Sequence, residues 1–366
     1  MKNPFNPTFG DVPQIFLKDN SNDELYKIIE MIKNSDYARS IFITGVRGVG
    51  KTSLMMSVSE YFEQDSDYYI VDLINKEGIA NSLVRLLANQ VDTQLQKSLK
   101  SISTFSIDSP LGGVSVSKQN ELPNIDVTLD RLMAGIKKRN KRVLVTIDEV
   151  DNSKPIKEFI QIFSSLKRKK YPIYLVMTGL PDLVLNLQND DKLTFLLRSD
   201  KIVVKPLQKL DILNTYSKIF KCEVITATRM AKMTRGYSYA FQLLGYLLFD
   251  RMQGKKPTMS DVDAIKQDYQ NYLYNNAYQK IFSELSEMDQ KYLYAVCGNH
   301  KLDEVAKIMK KSNVFVAQYR RRALERNLIV PAKLGYVTFT LPYFENYLDE
   351  TKNVDSIFYL GLDTEY

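Results

Sequence analysis

Apolar residues alternate, as far as residue 204, between short continuous runs and longer stretches with helical spacing. The continuous runs predict buried strands, because a strand covered on both faces has no polar side. They lie at 40–44, 69–73, 143–147, 173–177 and 202–204. Between them, apolar residues at every third or fourth position predict helices, for example at 23–35, 52–62 and 79–99. This alternation predicts an α/β core whose parallel sheet is covered by helices on both faces.

The strand-like runs stop beyond residue 206. Apolar spacing then predicts helices at 210–220, 226–233 and 239–251, which would form a separate helical lid. From 282 to 348, helical segments precede strand-like residues around Gly335, the outline of a winged helix. We therefore predict an N-terminal arm at 1–22, a core at 23–206, a helical lid at 207–280, a winged-helix domain at 281–352 and a tail at 353–366. Within the core, residues 101–123 are rich in serine. Apolar residues alternate with polar ones around Gly-Gly in this segment, which predicts a hairpin insertion.

Composition narrows the chemistry that this chain can perform. It has 366 residues, 44% of them hydrophobic and 25% charged, and no apolar run long enough to cross a bilayer. The N-terminus lacks the apolar segment of a signal peptide, so we expect a cytoplasmic protein with no membrane partner. With one histidine and two cysteines, the chain has too few of the residues that form a zinc site or a serine-histidine triad. The net charge of +7 permits a polyanionic partner but does not require one.

A complete phosphate-loop motif follows the first predicted strand and opens the next helix. Its pattern is GxxxxGK[ST], which permits consecutive backbone N–H groups to point at one phosphate at the positive end of a helix. Lys51 would reach the terminal phosphates of ATP or ADP, and the Thr52 hydroxyl would bind Mg²⁺. A glycine turn that binds nothing is the alternative. The predicted nucleotide-binding residues are Gly45, Val46, Arg47, Gly48, Val49, Gly50, Lys51, Thr52 and Ser53.

Two acids follow the strand at 143–147, at the sheet edge where parallel sheets bind ligands. Asp148 would hold Mg²⁺ through its water shell, and Glu149 would activate the attacking water. A helix-capping acid pair is the alternative. Thr178 ends the next strand and would lie between these acids and the phosphates. It is either a sensor of water or phosphate or an ordinary threonine at a strand end.

Several segments spread over almost the whole chain resemble AAA+ ATPases of the origin-recognition and STAND-like branch, in particular prokaryotic ATP-binding proteins that end in a winged helix. The arm at 3–10 with Pro13, the phosphate loop, and the magnesium motif at 147–150 each match. Residues 176–181 resemble the family's sensor strand, and 236–243 the start of its lid motif. The resemblance implies an AAA+ fold that binds and hydrolyses ATP.

The resemblance also implies roles for residues outside the motifs. Backbone near Phe16 and Leu17 would form the adenine pocket, and Arg198 would reach a neighbouring subunit's phosphate. An internal salt bridge to the region of Asp190 and Asp191 is the alternative for Arg198. The chain departs from the family pattern in the lid, where Ser238 replaces a proline and no second-sensor arginine is present. These departures are compatible with slow turnover or a nucleotide-gated switch.

The last predicted helix of the C-terminal domain has one apolar and one basic face. Ser312 is a good N-cap, and Val316, Tyr319, Ala323 and Leu324 would form the buried stripe. The basic face suits phosphates and a major groove, although a solvated helix in a protein-binding domain is the alternative. The predicted DNA-binding residues are Lys310, Lys311, Gln318, Arg321 and Arg322.

Two hypotheses about function remain open at the level of sequence. One is a nucleotide-dependent DNA-binding switch or loader with duplex DNA as partner, for which a homo-oligomer is one arrangement. The other is a STAND-like signalling ATPase whose winged helix and lid regulate a protein partner. A metabolic kinase is disfavoured, because no small-substrate motif is present and the downstream domains would have no purpose. Salt-dependent DNA binding separates the first two hypotheses.

Overall fold

The computed structural model describes residues 2–8, 14–15, 23–36, 38–100, 125–191, 193–298 and 301–352. The chain divides into two compact units. The sheet unit comprises residues 23–44 and 51–204, and the helical unit comprises 1–22, 45–50 and 205–366. The predicted hairpin insertion at 101–123, the tail at 353–366 and the adenine-pocket residues Phe16 and Leu17 lie outside the described residues.

In the sheet unit, strands and helices alternate as predicted. In chain order they are α1 (Asp23–Lys33), β1 (Arg39–Thr44), α2 (Lys51–Glu63), β2 (Tyr68–Leu73), α3 (Ile79–Gln90), α4 (Thr93–Lys100), α5 (Ile125–Lys138), β3 (Arg142–Ile147), α6 (Lys154–Arg168), β4 (Ile173–Gly179), α7 (Pro181–Gln188), a 3-10 helix (Thr194–Arg198) and β5 (Asp200–Val203). The described strands form one parallel sheet in the order β2-β3-β4-β1-β5.

Both faces of the sheet are buried along the central strands β3, β4 and β1, which explains why these strands are apolar on both sides. On one face, side chains of α1 and α2 pack against Leu144 and Val176 of the strands. Side chains of α3, α5 and α6 cover the other face, where Val143 and Val145 point. The predicted α/β class with a parallel sheet covered by helices is confirmed.

The single long helix predicted at 79–99 is wrong, because the structure has two helices there. The chain becomes extended at Val91, with φ −76° and ψ 159°. The Asp92 carboxylate then accepts a hydrogen bond from the Leu95 amide at 2.9 Å and caps α4. Leucines on both sides of the break keep a helical spacing, and this continuity hid the break in the sequence.

The helical unit is built around α8 (Lys209–Phe220), α9 (Val224–Thr234) and α10 (Ser238–Met252). Further along lie α11 (Met259–Ala264), α12 (Lys266–Leu273), a π-helical turn (Tyr274–Tyr278) and α13 (Gln279–Ser283). The arm residue Phe5 is 2% exposed and packs on Tyr216, Phe220 and Phe241, with ring centroids 5.7–5.8 Å apart. This aromatic cluster fastens the start of the chain to α8 and α10.

The C-terminal part of the helical unit contains α14 (Glu287–Val296), α15 (Leu302–Met309) and α16 (Asn313–Glu325), which pack against one another. They are followed by the antiparallel pair β6 (Ile329–Pro331) and β7 (Val337–Phe339). These are the elements predicted for a winged helix, in the predicted order. Among the described residues, no helix combines the length and the apolar character needed to cross a membrane.

Candidate functional site

The residues 45–50, which we call the glycine loop, connect β1 to α2 and belong to the helical unit. Gly48 has φ +78°, a conformation that favours glycine, and a Cβ added there would overlap the Tyr237 hydroxyl. Val46 and Val49 are buried, so their side chains anchor the loop. The Arg47 guanidinium is 3.4 Å from the Glu284 carboxylate. The loop therefore offers a ligand mainly its backbone amides.

The helix α2 begins with Lys51, Thr52 and Ser53, directly after the glycine loop in the chain. Its first turn carries no acidic residue, so nothing in that turn opposes the positive end of the helix dipole. This end favours an anion near Lys51.

Thr52 and Asp148 are hydrogen-bonded to each other in the sheet unit. The Thr52 hydroxyl donates to the Asp148 carboxylate at 2.9 Å. Asp148 follows β3, whose neighbour β4 carries Thr178, and the buried Thr178 hydroxyl donates to the other oxygen of Asp148. These contacts hold the Asp148 carboxylate in one orientation.

Glu149 has a strained backbone and an exposed side chain. Its φ of +51° lies in the left-handed region, which costs a non-glycine residue about 1–2 kcal/mol. The Glu149 amide donates to Thr178 Oγ1 at 3.0 Å and to Asp148 Oδ1 at 3.1 Å. The Asn75 side-chain amide donates to the Glu149 carbonyl at 3.4 Å and to Asp151 at 3.0 Å. Strain that is held by several bonds marks this turn as a functional candidate.

The donor set around Thr52 and Asp148 fits Mg²⁺. A hydroxyl and a carboxylate are hard oxygen ligands, and Mg²⁺ is commonly held by one or two protein oxygens together with water and substrate phosphates. No cluster of three or more His, Cys, Asp or Glu side chains able to hold a metal occurs in the described part of the chain. Thr52 and Asp148 would therefore hold the ion together with phosphate oxygens rather than enclose it.

On α16, most of the predicted basic face is exposed. The Ser312 hydroxyl caps the helix by accepting from the Phe315 amide at 3.3 Å. Val316 and Ala323 are buried, whereas the predicted stripe residues Tyr319 and Leu324 are only half-buried. Four of the predicted DNA-binding side chains are exposed: Lys310, Lys311, Gln318 and Arg321.

Arg322 differs from the other predicted DNA-binding residues. Its guanidinium is 2.7 Å from the carboxylate of Asp289 on α14, a side chain only 5% exposed. Arg326 pairs with the same carboxylate at 3.2 Å and is itself buried. The expectation that Arg322 faces outward is therefore wrong for its charged group, because the long side chain bends toward the buried acid.

Arg198 ends the 3-10 helix before β5, and its side chain is exposed. Within the described residues it makes no ion pair, and Asp190 instead pairs with Lys157 at 3.0 Å. The alternative for Arg198, an internal salt bridge, is therefore not formed with Asp190. Its exposed position leaves it accessible to another molecule.

A family described as an ATPase domain predominantly from Archaea matches residues 20–231. The chain belongs to this family. The match spans the predicted core, the glycine loop and the magnesium motif, so this chain is an ATPase of the P-loop class. Residues 275–348 of this ATPase match a second family, described as a domain of unknown function.

Solved structures share the fold of this ATPase at low sequence identity. The Walker-type ATPase of Pyrococcus abyssi superposes with a TM-score of 0.61 at 15% identity, covering 92% of this chain and 96% of that one. The ORC2 protein of Aeropyrum pernix, solved in ADPNP and ADP complexes, gives 0.58 at 10% identity, covering 96% and 98%. The predicted resemblance is confirmed for the ATPase family, and the fold is shared with the ORC2 protein.

A curated relative of this ATPase is the chromosomal replication initiator protein DnaA of Buchnera aphidicola. It is 26% identical over 140 residues, which are 37% of this chain and 29% of the relative. The chain thus matches less than a third of the length of that protein.

Some contacts at the site of this ATPase were not predicted from the sequence. Asn75 follows β2, and its side chain donates to the Glu149 carbonyl. The sequence signal for this contact is a polar residue just after a strand that neighbours β3. Tyr237 and Ser238 bond to the glycine loop, from 190 and 189 residues away in sequence. Both residues lie in the segment that resembles the lid motif, but no pattern in the sequence indicates which loop atoms they bind.

Replacing Thr178 with valine is expected to lower ATP turnover and to destabilise the fold by about 1–3 kcal/mol, because the Glu149 amide and the Asp148 carboxylate each lose one hydrogen-bond partner while the shape is kept. Turnover and urea unfolding measure the two effects. Thr146→Val is the matched control, since this buried threonine on β3 donates at 2.8 Å to Asp72 rather than to Asp148. If Thr178→Val turned over ATP as fast as the wild type, Thr178 would not be needed to position Asp148 and Glu149.

Proposed function

We propose that this ATPase is a nucleotide-dependent DNA-binding switch or loader. It binds ATP with Mg²⁺, hydrolyses ATP to ADP and phosphate, and uses the bound nucleotide to set the affinity of its C-terminal helices for duplex DNA. Membership in an ATPase family supports the nucleotide chemistry. The exposed basic face of α16 is the observation that carries the DNA-binding role.

Each residue of the nucleotide site has a separate task in this proposal. The amides of the glycine loop bind phosphate, and Lys51 neutralises charge on the terminal phosphates. Thr52 and Asp148 would hold Mg²⁺, which when bound stabilises the charge that develops during phosphoryl transfer. Glu149 orients and polarises the attacking water from an exposed position beside Asp148.

Thr178 positions both acids in this proposal. Its hydroxyl donates its one proton to Asp148 and accepts from the Glu149 amide, so the geometry favours this role over direct sensing of water or phosphate.

The exposed cations that this proposal assigns to DNA lie at α16 and in the loop between β6 and β7. Lys310 and Lys311 precede α16, and Arg321 lies on its exposed side. Lys333 lies in the loop between β6 and β7, where the neighbouring Leu334 is 97% exposed. A capped basic helix beside a basic loop with an apolar tip suits the phosphates and groove of duplex DNA.

Arg198 is proposed to act between subunits. Its exposed side chain, just before β5, would reach the ATP of a neighbouring copy, where an arginine stabilises charge in the transition state. This role requires a homo-oligomer.

The DNA-binding role is tested by the double variant Lys311→Ala, Arg321→Ala. Duplex DNA affinity is measured over a salt series without nucleotide, with ADP and with a non-hydrolysable ATP analogue. We expect weaker binding and a plot of log affinity against log salt that is shallower by up to about two units, because two phosphate contacts are lost. The wild type is expected to show different affinities in the nucleotide states.

The matched control is Lys255→Ala, Lys256→Ala, which removes the same charge from exposed residues in the turn after α10. Its salt slope is expected to match the wild type. Equal slopes for the wild type and the Lys311, Arg321 variant would exclude this face as the DNA site.

The signalling ATPase with a protein partner is the second candidate function. Two observations favour it: Arg322 is paired with the buried Asp289, and Arg321 lies 3.8 Å from Glu325 on its own helix. Both pairs reduce the positive charge that the basic face can offer. Salt-independent or absent DNA binding by the wild type would support this alternative.

A further inference from the structure

Consecutive carbonyl groups of the glycine loop are bonded by consecutive residues at the start of α10. The Tyr237 hydroxyl donates to the Arg47 carbonyl at 2.8 Å, and the Ser238 hydroxyl donates to the Val49 carbonyl at 2.8 Å. Between them, the Tyr239 amide donates to the Gly48 carbonyl at 3.0 Å. We call Tyr237, Ser238 and Tyr239 the loop clamp.

The loop clamp is itself held firmly inside the helical unit. Tyr237 is 4% exposed, and its ring lies 6.1 Å from that of Tyr239 and 6.5 Å from that of Tyr278. Its amide donates to the Thr234 carbonyl at 2.9 Å, and its carbonyl accepts from Phe241 at 3.0 Å. Burial raises the pKa of the Tyr237 hydroxyl, so the group stays protonated and remains a donor. The hydroxyl donor of Tyr237 is thus fixed in place.

The bonded carbonyls determine where the loop amides point. In a planar trans peptide the C=O of one residue and the N–H of the next point in opposite directions. Holding the carbonyls of Arg47, Gly48 and Val49 therefore sets the directions of the amides of Gly48, Val49 and Gly50. These are amides that a phosphate loop turns toward its ligand.

Close contact at Gly48 adds a second constraint. A side chain at this position would overlap the Tyr237 hydroxyl, so the loop and the loop clamp approach as closely as glycine permits. Tyr237 thus contacts the loop both by its hydrogen bond to Arg47 and by close packing against Gly48.

We propose that Tyr237 and Ser238 are positioning residues for nucleotide phosphate, which hold the amides of the glycine loop in their binding orientation. Preorganised donors bind more tightly, because the ligand does not have to order them. The inference rests on the proposed nucleotide site and assigns these two hydroxyls a role in it. It applies to the phosphate groups of a nucleoside di- or triphosphate and not to the base.

The experiment compares the affinities of the full chain for ADP and for adenosine. Tyr237→Phe and Ser238→Ala each remove one hydroxyl and keep the remaining side chain. Affinity for ADP is measured by calorimetry, and affinity for adenosine by competition with a fluorescent ADP analogue. We expect the dissociation constant for ADP to rise about 3- to 10-fold for each hydroxyl removed, and that for adenosine to stay constant.

Two further variants separate positioning from general destabilisation. Ser238→Thr keeps a hydroxyl and is expected to restore most of the ADP affinity lost in Ser238→Ala. Tyr246→Phe removes a hydroxyl from the same helix α10 but not from the loop clamp, and is expected to bind ADP like the wild type.

The outcomes distinguish the loop clamp from the nucleotide site itself. A wild type that does not bind ADP would overturn the nucleotide assignment and the loop clamp with it. If the wild type binds ADP and the Tyr237→Phe, Ser238→Ala double variant binds it equally well, only the positioning role of the loop clamp would be overturned. Equal losses for ADP and adenosine, or a Ser238→Thr variant as weak as Ser238→Ala, would also overturn it.

Discussion

Glu149→Gln is expected to keep ATP binding and to lose about 10²- to 10⁴-fold in turnover, the usual contribution of a general base. The amide side chain keeps nearly the same size but does not accept a proton from water. The hydrogen bonds that hold this turn involve the Glu149 backbone, so the substitution should leave them intact. Steady-state release of phosphate and calorimetry with ATP measure the two properties separately.

The matched control for this variant is Glu63→Gln. Glu63 is an exposed acid at the end of α2, far along that helix from Lys51. Its replacement changes the same charge and is expected to leave turnover unchanged. If Glu149→Gln hydrolysed ATP as fast as the wild type, another group would have to activate the water.

Asp289→Ala is expected to destabilise the C-terminal helices by about 3–5 kcal/mol. The carboxylate is paired with Arg322 and Arg326, and it is almost completely buried. Its removal takes a charge partner away from the buried Arg326 guanidinium, which costs more than the net value of the ion pair. Urea unfolding followed by far-UV circular dichroism measures the loss.

Glu287→Ala serves as the control for Asp289→Ala, because it lies on the same helix α14 and also pairs with a cation. Its side chain is 79% exposed, and its partner Lys291 is at the surface. Surface pairs contribute about 0–1 kcal/mol, so the control should unfold nearly like the wild type. Similar unfolding of both variants would show that the ion pairs of Asp289 contribute little.

The sequence alone was sufficient to predict the elements that carry the candidate nucleotide-binding residues of the sheet unit. The motif ending in Lys51 and Thr52 predicted a helix start, and the run before Asp148 predicted a buried strand, both of which the structure contains. Thr178 could be placed near Asp148 because parallel strands end at the same edge of the sheet. Such local patterns are predictive because side-chain spacing reports which faces of an element are buried.

The orientation of long side chains on α16 could not be predicted from the sequence. Helical spacing places the Cα of Arg322 on the basic face beside Arg321, and the pattern alone predicts that both point outward. Only the packing of α14 against α16 brings Asp289 within reach of the Arg322 guanidinium. A flexible side chain follows the nearest buried charge rather than the direction of its Cα.

Tertiary structure also decided what surrounds the glycine loop. The sequence determined that the loop turns at Gly48 and offers backbone amides, since glycine spacing is a local property. The bonds from Tyr237 and Ser238 join positions 190 and 189 residues apart, and they depend on where the folded chain places the start of α10. Local spacing carries no information about such distant partners, because many folds can place the same helix against different loops. The sequence of this protein therefore determined its secondary-structure elements and the candidate residues of its site, whereas the packing decided which atoms hold those residues in position.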